Sequence, residues 1–180
     1  MTRAIVVVLT TSLLIPGAVL AQDQTRAQAK RGEYLVTTSL CHDCHTPLMN
    51  GPDGPAPDMK RALSGHPQDI TIRQAANVQE PWVGAMTATL TAWSGPWGVS
   101  FSANLTPDPE TGVLRDFTEE QFVQTLRTGR HQGQGRQILP PMPWPLIGQM
   151  TDDDLKAIFA YLKQIPPVRN KVPDPIPPRP

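Results

Sequence analysis

Only two of the 180 residues are cysteine, Cys41 and Cys44. That scarcity excludes a disulfide-stapled scaffold. A bridge between these two would close a four-residue loop, which is strained and removes almost no chain entropy. Charge of one sign is also missing. The 16 basic residues are matched by 16 acidic ones, which leaves no surplus to neutralise phosphates and no case for a nucleic-acid partner. Beyond residue 21 no apolar run is long enough to span a bilayer, so no membrane span is expected in the mature chain. Histidine is nearly as rare. Apart from His42 and His45 there are only His66 and His131, neither with a Cys or His neighbour at clip spacing, which argues against a structural zinc site. Strands do not alternate with helical runs, as a thioredoxin-like dithiol would require.

What is present begins with an address label. Arg3 supplies a positive start, "AIVVVLTTSLLI" is an apolar run too short for a comfortable span, and Val19 and Ala21 put small residues where signal peptidase needs them. Residues 1–21 are therefore read as a secretory signal peptide, with Gln22 opening a periplasmic mature chain. An uncleaved membrane anchor is the alternative. Removing residues 1–21 takes away only Arg3, so the mature chain has one acidic charge in excess.

Both cysteines lie in "LCHDCHTP", followed at once by a histidine. C-x-x-C-H is the attachment motif for c-type haem. Two thiols at this spacing reach the two vinyl groups of the porphyrin as thioethers, and the next histidine becomes the proximal iron ligand. Cys41, Cys44 and His45 take these roles, while His42 and Asp43 are spacers on a solvated face. The second axial ligand decides the chemistry. Met49, Met59, Met86, Met142, Met150, His66 and His131 are the candidates. Met142 is favoured because it stands in "ILPPMPWP", where the prolines stiffen an extended segment. Such a loop loses little entropy in presenting a weak thioether ligand. His131, among Arg127, Arg130 and Arg136, is the fallback. These arginines could steer an acidic partner or pair with haem propionates, or form an ordinary solvated face.

Three helices are predicted. The first covers residues 24–40 and delivers the chain into Cys41. The second covers 119–129, with Thr118 and Gln121 in a capping-box pattern, Glu119 and Glu120 at its N-terminus and Gly129 at its end. The third covers 152–164, capped by Thr151, with Leu155, Ile158, Phe159 and Leu162 on one face. Residues 46–104 hold 7 Pro and 6 Gly in 59, which predicts loops and turns, with one strand or hairpin arm at "MTATLTAW". Trp82, Trp93 and Trp97 are expected to wall the haem edge or to fill gaps. Residues 166–180 hold 7 Pro in 15 and read as an extended tail. The domain division is thus 1–21 leader, 22–165 haem domain and 166–180 tail.

Taken in order, "CHDCH", "SANLTPDPETG", "TEEQFVQTLRTGR", "ILPPMPWP" and "MTDDDLKAIFAYLKQIPP" resemble a class I cytochrome c over roughly residues 28–167. More narrowly, they are similar to one haem module of the cytochrome subunits that serve membrane-bound alcohol and aldehyde dehydrogenases. The resemblance implies an all-α cytochrome c fold of three to four helices around one covalent haem c, with a long Pro/Gly-rich loop insertion. It also implies Cys41 and Cys44 as anchors, His45 and Met142 as iron ligands, and a crossing of the first and last helices with Gly32 near Tyr161 or Phe159. Asn104 falls in a recurring element without an evident role. The expected function is single-electron transfer by a periplasmic monohaem carrier, not an enzyme. Its redox partners would be proteins such as a periplasmic dehydrogenase or a terminal oxidase. The rivals are a haem enzyme, peroxidase-like or oxidising a small molecule, and a ligand sensor with a labile distal Met.

Overall fold

A computed structural model describes residues 16–178, so the reading of residues 1–21 as a leader falls mostly outside the described residues. Three longer helices form the frame: α1 (Pro16–Thr38), α3 (Glu119–Thr128) and α5 (Asp152–Leu162), with short α2 (Cys41–His45) and α4 (Trp144–Ile147) between them. No helix among the described residues is long and apolar enough to cross a membrane.

The ends of α3 and α5 follow from their capping residues. Thr118 and Gln121 exchange both capping-box hydrogen bonds, and Gly129 closes α3 in the left-handed region at φ 66°. Thr151 caps α5 by accepting from the Asp154 backbone N–H, and Asp152, Asp153 and Asp154 complement the helix dipole. The helix expected over 24–40 stops at Thr38 instead, because Leu40 turns the chain through φ 59° and α2 starts in a new direction.

Packing rests on the crossing of α1 and α5. A Cβ on Gly32 would overlap the carbonyl of Ala157 and lie 2.8 Å from the Tyr161 Cβ, so only glycine lets these backbones meet. Val36 and Leu155 are completely buried at this seam, and Arg31 Nε reaches Asp154 Oδ1 at 2.9 Å across its edge. From α3, Phe122 meets Phe159 of α5 with ring centroids 5.3 Å apart. Each such buried apolar side chain contributes about 1.5–3 kcal/mol.

The all-α expectation is corrected. Helix makes up 34% of the chain, and residues 46–104 carry two antiparallel sheets. β1 (Leu48–Gly51) pairs with β2 (Gly54–Pro57), while β3 (Ala85–Met86), β4 (Ala92–Gly95) and β5 (Gly98–Phe101) form the second sheet. These strands have two to four residues, too few for apolar alternation to register as a pattern. "MTATLTAW" is mostly the turn between β3 and β4, with Leu90 at φ 53°. Its threonines alternate because their hydroxyls bond one another, Thr87 to Thr89 at 3.0 Å and Thr89 to Thr91 at 2.8 Å.

The proline-rich end is strapped along the body. Ile176 pairs with Val99 through two backbone bonds of 2.8 and 3.0 Å, so the strap covers the free edge of β5. Such cover satisfies backbone groups that an edge strand would otherwise expose.

Candidate functional site

Helix α2 presents the haem motif at the base of a cavity of about 1140 Å³, measured to its open mouth. Its walls are apolar side chains of the frame, including Phe117, Phe122, Leu126, Ile158 and Leu162. Cys44, His45 and Met142 all line it. Cys41 packs against the adjoining core.

His45 is 8% exposed, and its Nδ1 lies 2.8 Å from the carbonyl oxygen of Ala103. A carbonyl can only accept, so Nδ1 carries the proton and donates, leaving Nε2 with a free lone pair. Burial holds the ring below its ordinary pKa, so it is neutral. Burial also pushes the Cys41 thiol up to about 11 and raises that of Cys44. No group of three or more His, Cys, Asp or Glu side chains among the described residues is placed to hold a metal ion. One imidazole, one thioether and two thiols around a large apolar cavity suit an iron that arrives in a porphyrin.

Met142 lies on the loop between α3 and α4, partly buried against the core. That loop is held at both sides. Ile138 donates its backbone N–H to Gly129 at 2.8 Å, and the Ser100 hydroxyl donates to the Pro140 carbonyl at 2.5 Å. Two residues on from Ser100, the Ser102 hydroxyl donates to the Cys44 carbonyl at 2.5 Å. Ala103 then accepts from His45. One short run, residues 100–103, thus touches the Met142 loop, the cysteine motif and the His45 imidazole.

The remaining candidates separate clearly. Met49, Met59 and Met86 are exposed, and Met150 packs against the core. His66 lies in a loop, as expected, but is fully buried, with Nδ1 3.0 Å from the Thr91 hydroxyl and Nε2 3.1 Å from the Ile70 carbonyl. Both of its nitrogens are engaged, away from the cavity. His131 does line the cavity, edge-on to Phe117 with centroids 4.9 Å apart, and burial lowers its pKa. Of the three arginines only Arg136 lines it. Arg127 donates to the Gly148 carbonyl and to Asp152, and Arg130 donates to the Gly135 carbonyl. Trp93 alone among the three tryptophans of the insertion reaches the cavity, while Trp82 is 75% exposed.

Sequence reasoning missed Ser100, Ser102 and Ala103. The first two are small residues in a short strand or just beyond it, and Ala103 acts through its backbone carbonyl, which no side-chain pattern encodes.

No family model matches the chain. Its curated relatives include cytochrome subunits of dehydrogenases. It is 33% identical over 161 residues to the alcohol dehydrogenase (quinone), cytochrome c subunit, of Gluconobacter oxydans, a match spanning 88% of this chain and 26% of the relative. Against the fructose dehydrogenase cytochrome subunit of Gluconobacter japonicus it is 30% identical over 162 residues, 86% of this chain and 26% of that one. Against the gluconate 2-dehydrogenase cytochrome c subunit of Pantoea cypripedii it is 29% identical over 145 residues, 80% and 25% respectively. The likeness is consistent with a c-type cytochrome module. The chain is similar over most of its length to part of these dehydrogenase cytochrome c subunits, and it spans about a quarter of their length.

Proposed function

We propose that this chain carries single electrons on one covalently attached haem c, with its iron held between His45 and Met142. The observation that carries the reading is that His45 and Met142 line one apolar cavity, with His45 neutral and its Nδ1 engaged by Ala103. Cys41 and Cys44 anchor the porphyrin as thioethers. The haem supplies a one-electron couple, and the protein supplies position, shielding and docking. The Ala103 carbonyl fixes the ring plane of His45 and increases its basicity. The stiff Met142 loop keeps the thioether in place in both oxidation states, and the apolar walls keep water out, so little reorganises when the electron moves.

The relatives are named as subunits of alcohol, fructose and gluconate dehydrogenases. By that likeness the electron donor is a periplasmic dehydrogenase and the acceptor a further carrier or terminal oxidase, with residues 1–21 directing export. A second reading, a haem that binds or activates a small molecule, draws on His131, which lines the same cavity and could serve as an acid–base group.

Acid extraction of the denatured holoprotein tests the attachment. The pigment should stay with the chain, and Cys41→Ala/Cys44→Ala should release it. Complete release from the unaltered protein overturns the proposal. The unaltered protein should stay low-spin under carbon monoxide, whereas Met142→Ala should bind the gas. Rapid gas binding without the substitution favours the second reading.

A further inference from the structure

Two backbone segments hold His45 from opposite sides. The first, residues 63–66, donates the Gly65 N–H to the His45 carbonyl at 2.8 Å and the Leu63 N–H to the neighbouring Thr46 hydroxyl at 2.9 Å. The second, residues 102–105, supplies the Ala103 carbonyl to the ring. The segments are joined directly, His66 N–H to the Ser102 carbonyl at 3.0 Å and Leu105 N–H to the Leu63 carbonyl at 2.9 Å.

A single side chain from the C-terminal strap locks this pair. Asn170 is 6% exposed, and its amide donates to the carbonyls of Ser64 (2.7 Å) and His66 (2.8 Å) while its oxygen accepts from the Gln68 N–H (2.9 Å). Asn104, 1% exposed, returns the contact from the second segment, donating to the Val168 and Asn170 carbonyls at 2.8 and 3.3 Å. Its oxygen accepts from the backbone N–H and hydroxyl of Thr106 at 3.0 and 2.7 Å. Two buried amides therefore use donors and acceptors together to tie the strap to the residues flanking Ala103 and Gly65. Buried amides are costly unless satisfied, so an arrangement of this kind holds one geometry.

We infer that the strap, through Asn170 and Asn104, is a positioning element that holds the Ala103 carbonyl on His45 Nδ1 and so sets the reduction potential of the bound haem. This rests on the reading of His45 as an iron ligand. A tight Nδ1–H···O bond lends the imidazole negative character, which favours the oxidised iron. Loosening the bond moves the potential upward.

The test uses holoprotein carrying ¹⁵N-labelled histidine. Asn170→Ala should quicken exchange of the His45 Nδ1 proton by roughly tenfold or more, the effect of losing buried hydrogen bonds, and should raise the potential. Asn170→Asp, which keeps the shape but points a carboxylate at two carbonyls, should quicken the exchange as well. Arg169→Ala breaks only the exposed ion pair with Glu110 next door and should change neither reading. If Asn170→Ala yields no holoprotein, Asn170→Ser, with a shorter donor, gives the same two readings. Unchanged exchange in the Asn170 variants, or a potential that falls because water has entered, overturns the inference. A missing iron-shifted His45 signal in the unaltered protein instead overturns the ligand assignment itself, so the two failures are distinguishable.

Discussion

The helical frame and the insertion with its strap hold the same cavity by different means. α1, α3 and α5 meet through apolar side chains at regular spacing, with one glycine at the tightest crossing. Residues 46–106 and the strap hold their neighbours through hydrogen bonds from small polar side chains to backbone carbonyls: Ser100 to Pro140, Ser102 to Cys44, Asn104 and Thr106 to Val168, and Asn170 to Ser64. The frame makes the cavity, and the insertion orients the groups in it. A hydrophobic contact tolerates small displacements, but a hydrogen bond to a ligand ring does not, so orientation is assigned to the polar region.

Substitutions in the two regions should therefore fail differently. The largest effect is expected for Leu155→Ala, at the centre of the frame and completely buried. It should cost about 2–5 kcal/mol, measured as a lower denaturation midpoint with an unchanged visible spectrum in the surviving native protein. Gly32→Ala comes next. Its methyl meets the Ala157 carbonyl and must spread the crossing, at about 1–3 kcal/mol. Equal midpoints for Gly32→Ala and the unaltered protein would show that the helices can part there freely.

On the other side of the comparison, Ser100→Ala removes the bond to Pro140 and should lower stability by only about 1 kcal/mol. Its signature is local. The Met142 loop loosens, and carbon monoxide should compete for the iron where it does not in the unaltered protein. A global loss of stability without gas binding would place Ser100 with the frame. The smallest effect is a slope. Burial lowers the pKa of His66 from its ordinary 6.5, so the folded state binds fewer protons than the unfolded one between the two values. Its contribution to stability is present above pH 6.5 and is lost as pH falls through the depressed folded value. Below pH 6.5, His66→Gln should flatten the stability curve by at most about 1.4 kcal/mol per pH unit, as read from urea midpoints at a series of pH values.

The same contrast governs what could be read in advance. The caps Thr118 and Thr151, the stop at Gly129 and the apolar face from Leu155 to Leu162 were legible, because each depends on residues one to eight positions apart, while the approach of Gly32 to Tyr161 was implied by the family resemblance. The five strands were not legible, since hairpins this short are held by turns and by partners far along the chain. His66 was read correctly as a loop residue, but its burial was not legible, because its partner Thr91 is 25 positions away. Asn104 matched a recurring element yet had no visible role, for its partner carbonyls lie 64 and 66 residues on, in the strap.

By itself the sequence determined the chemistry that can be offered: two thiols and an imidazole at a spacing that suits a porphyrin, a methionine in a stiff proline loop, and helices with defined ends. Only the tertiary structure decided which methionine and which histidines reach the cavity, which nitrogen of His45 is free, and that the proline-rich end is tied to the segments beside His45. The physical reason is range. Propensity, capping and motif spacing act within a few residues, whereas ring orientation depends on carbonyls brought together from distant segments, and every residue but proline carries the same backbone hydrogen-bonding groups.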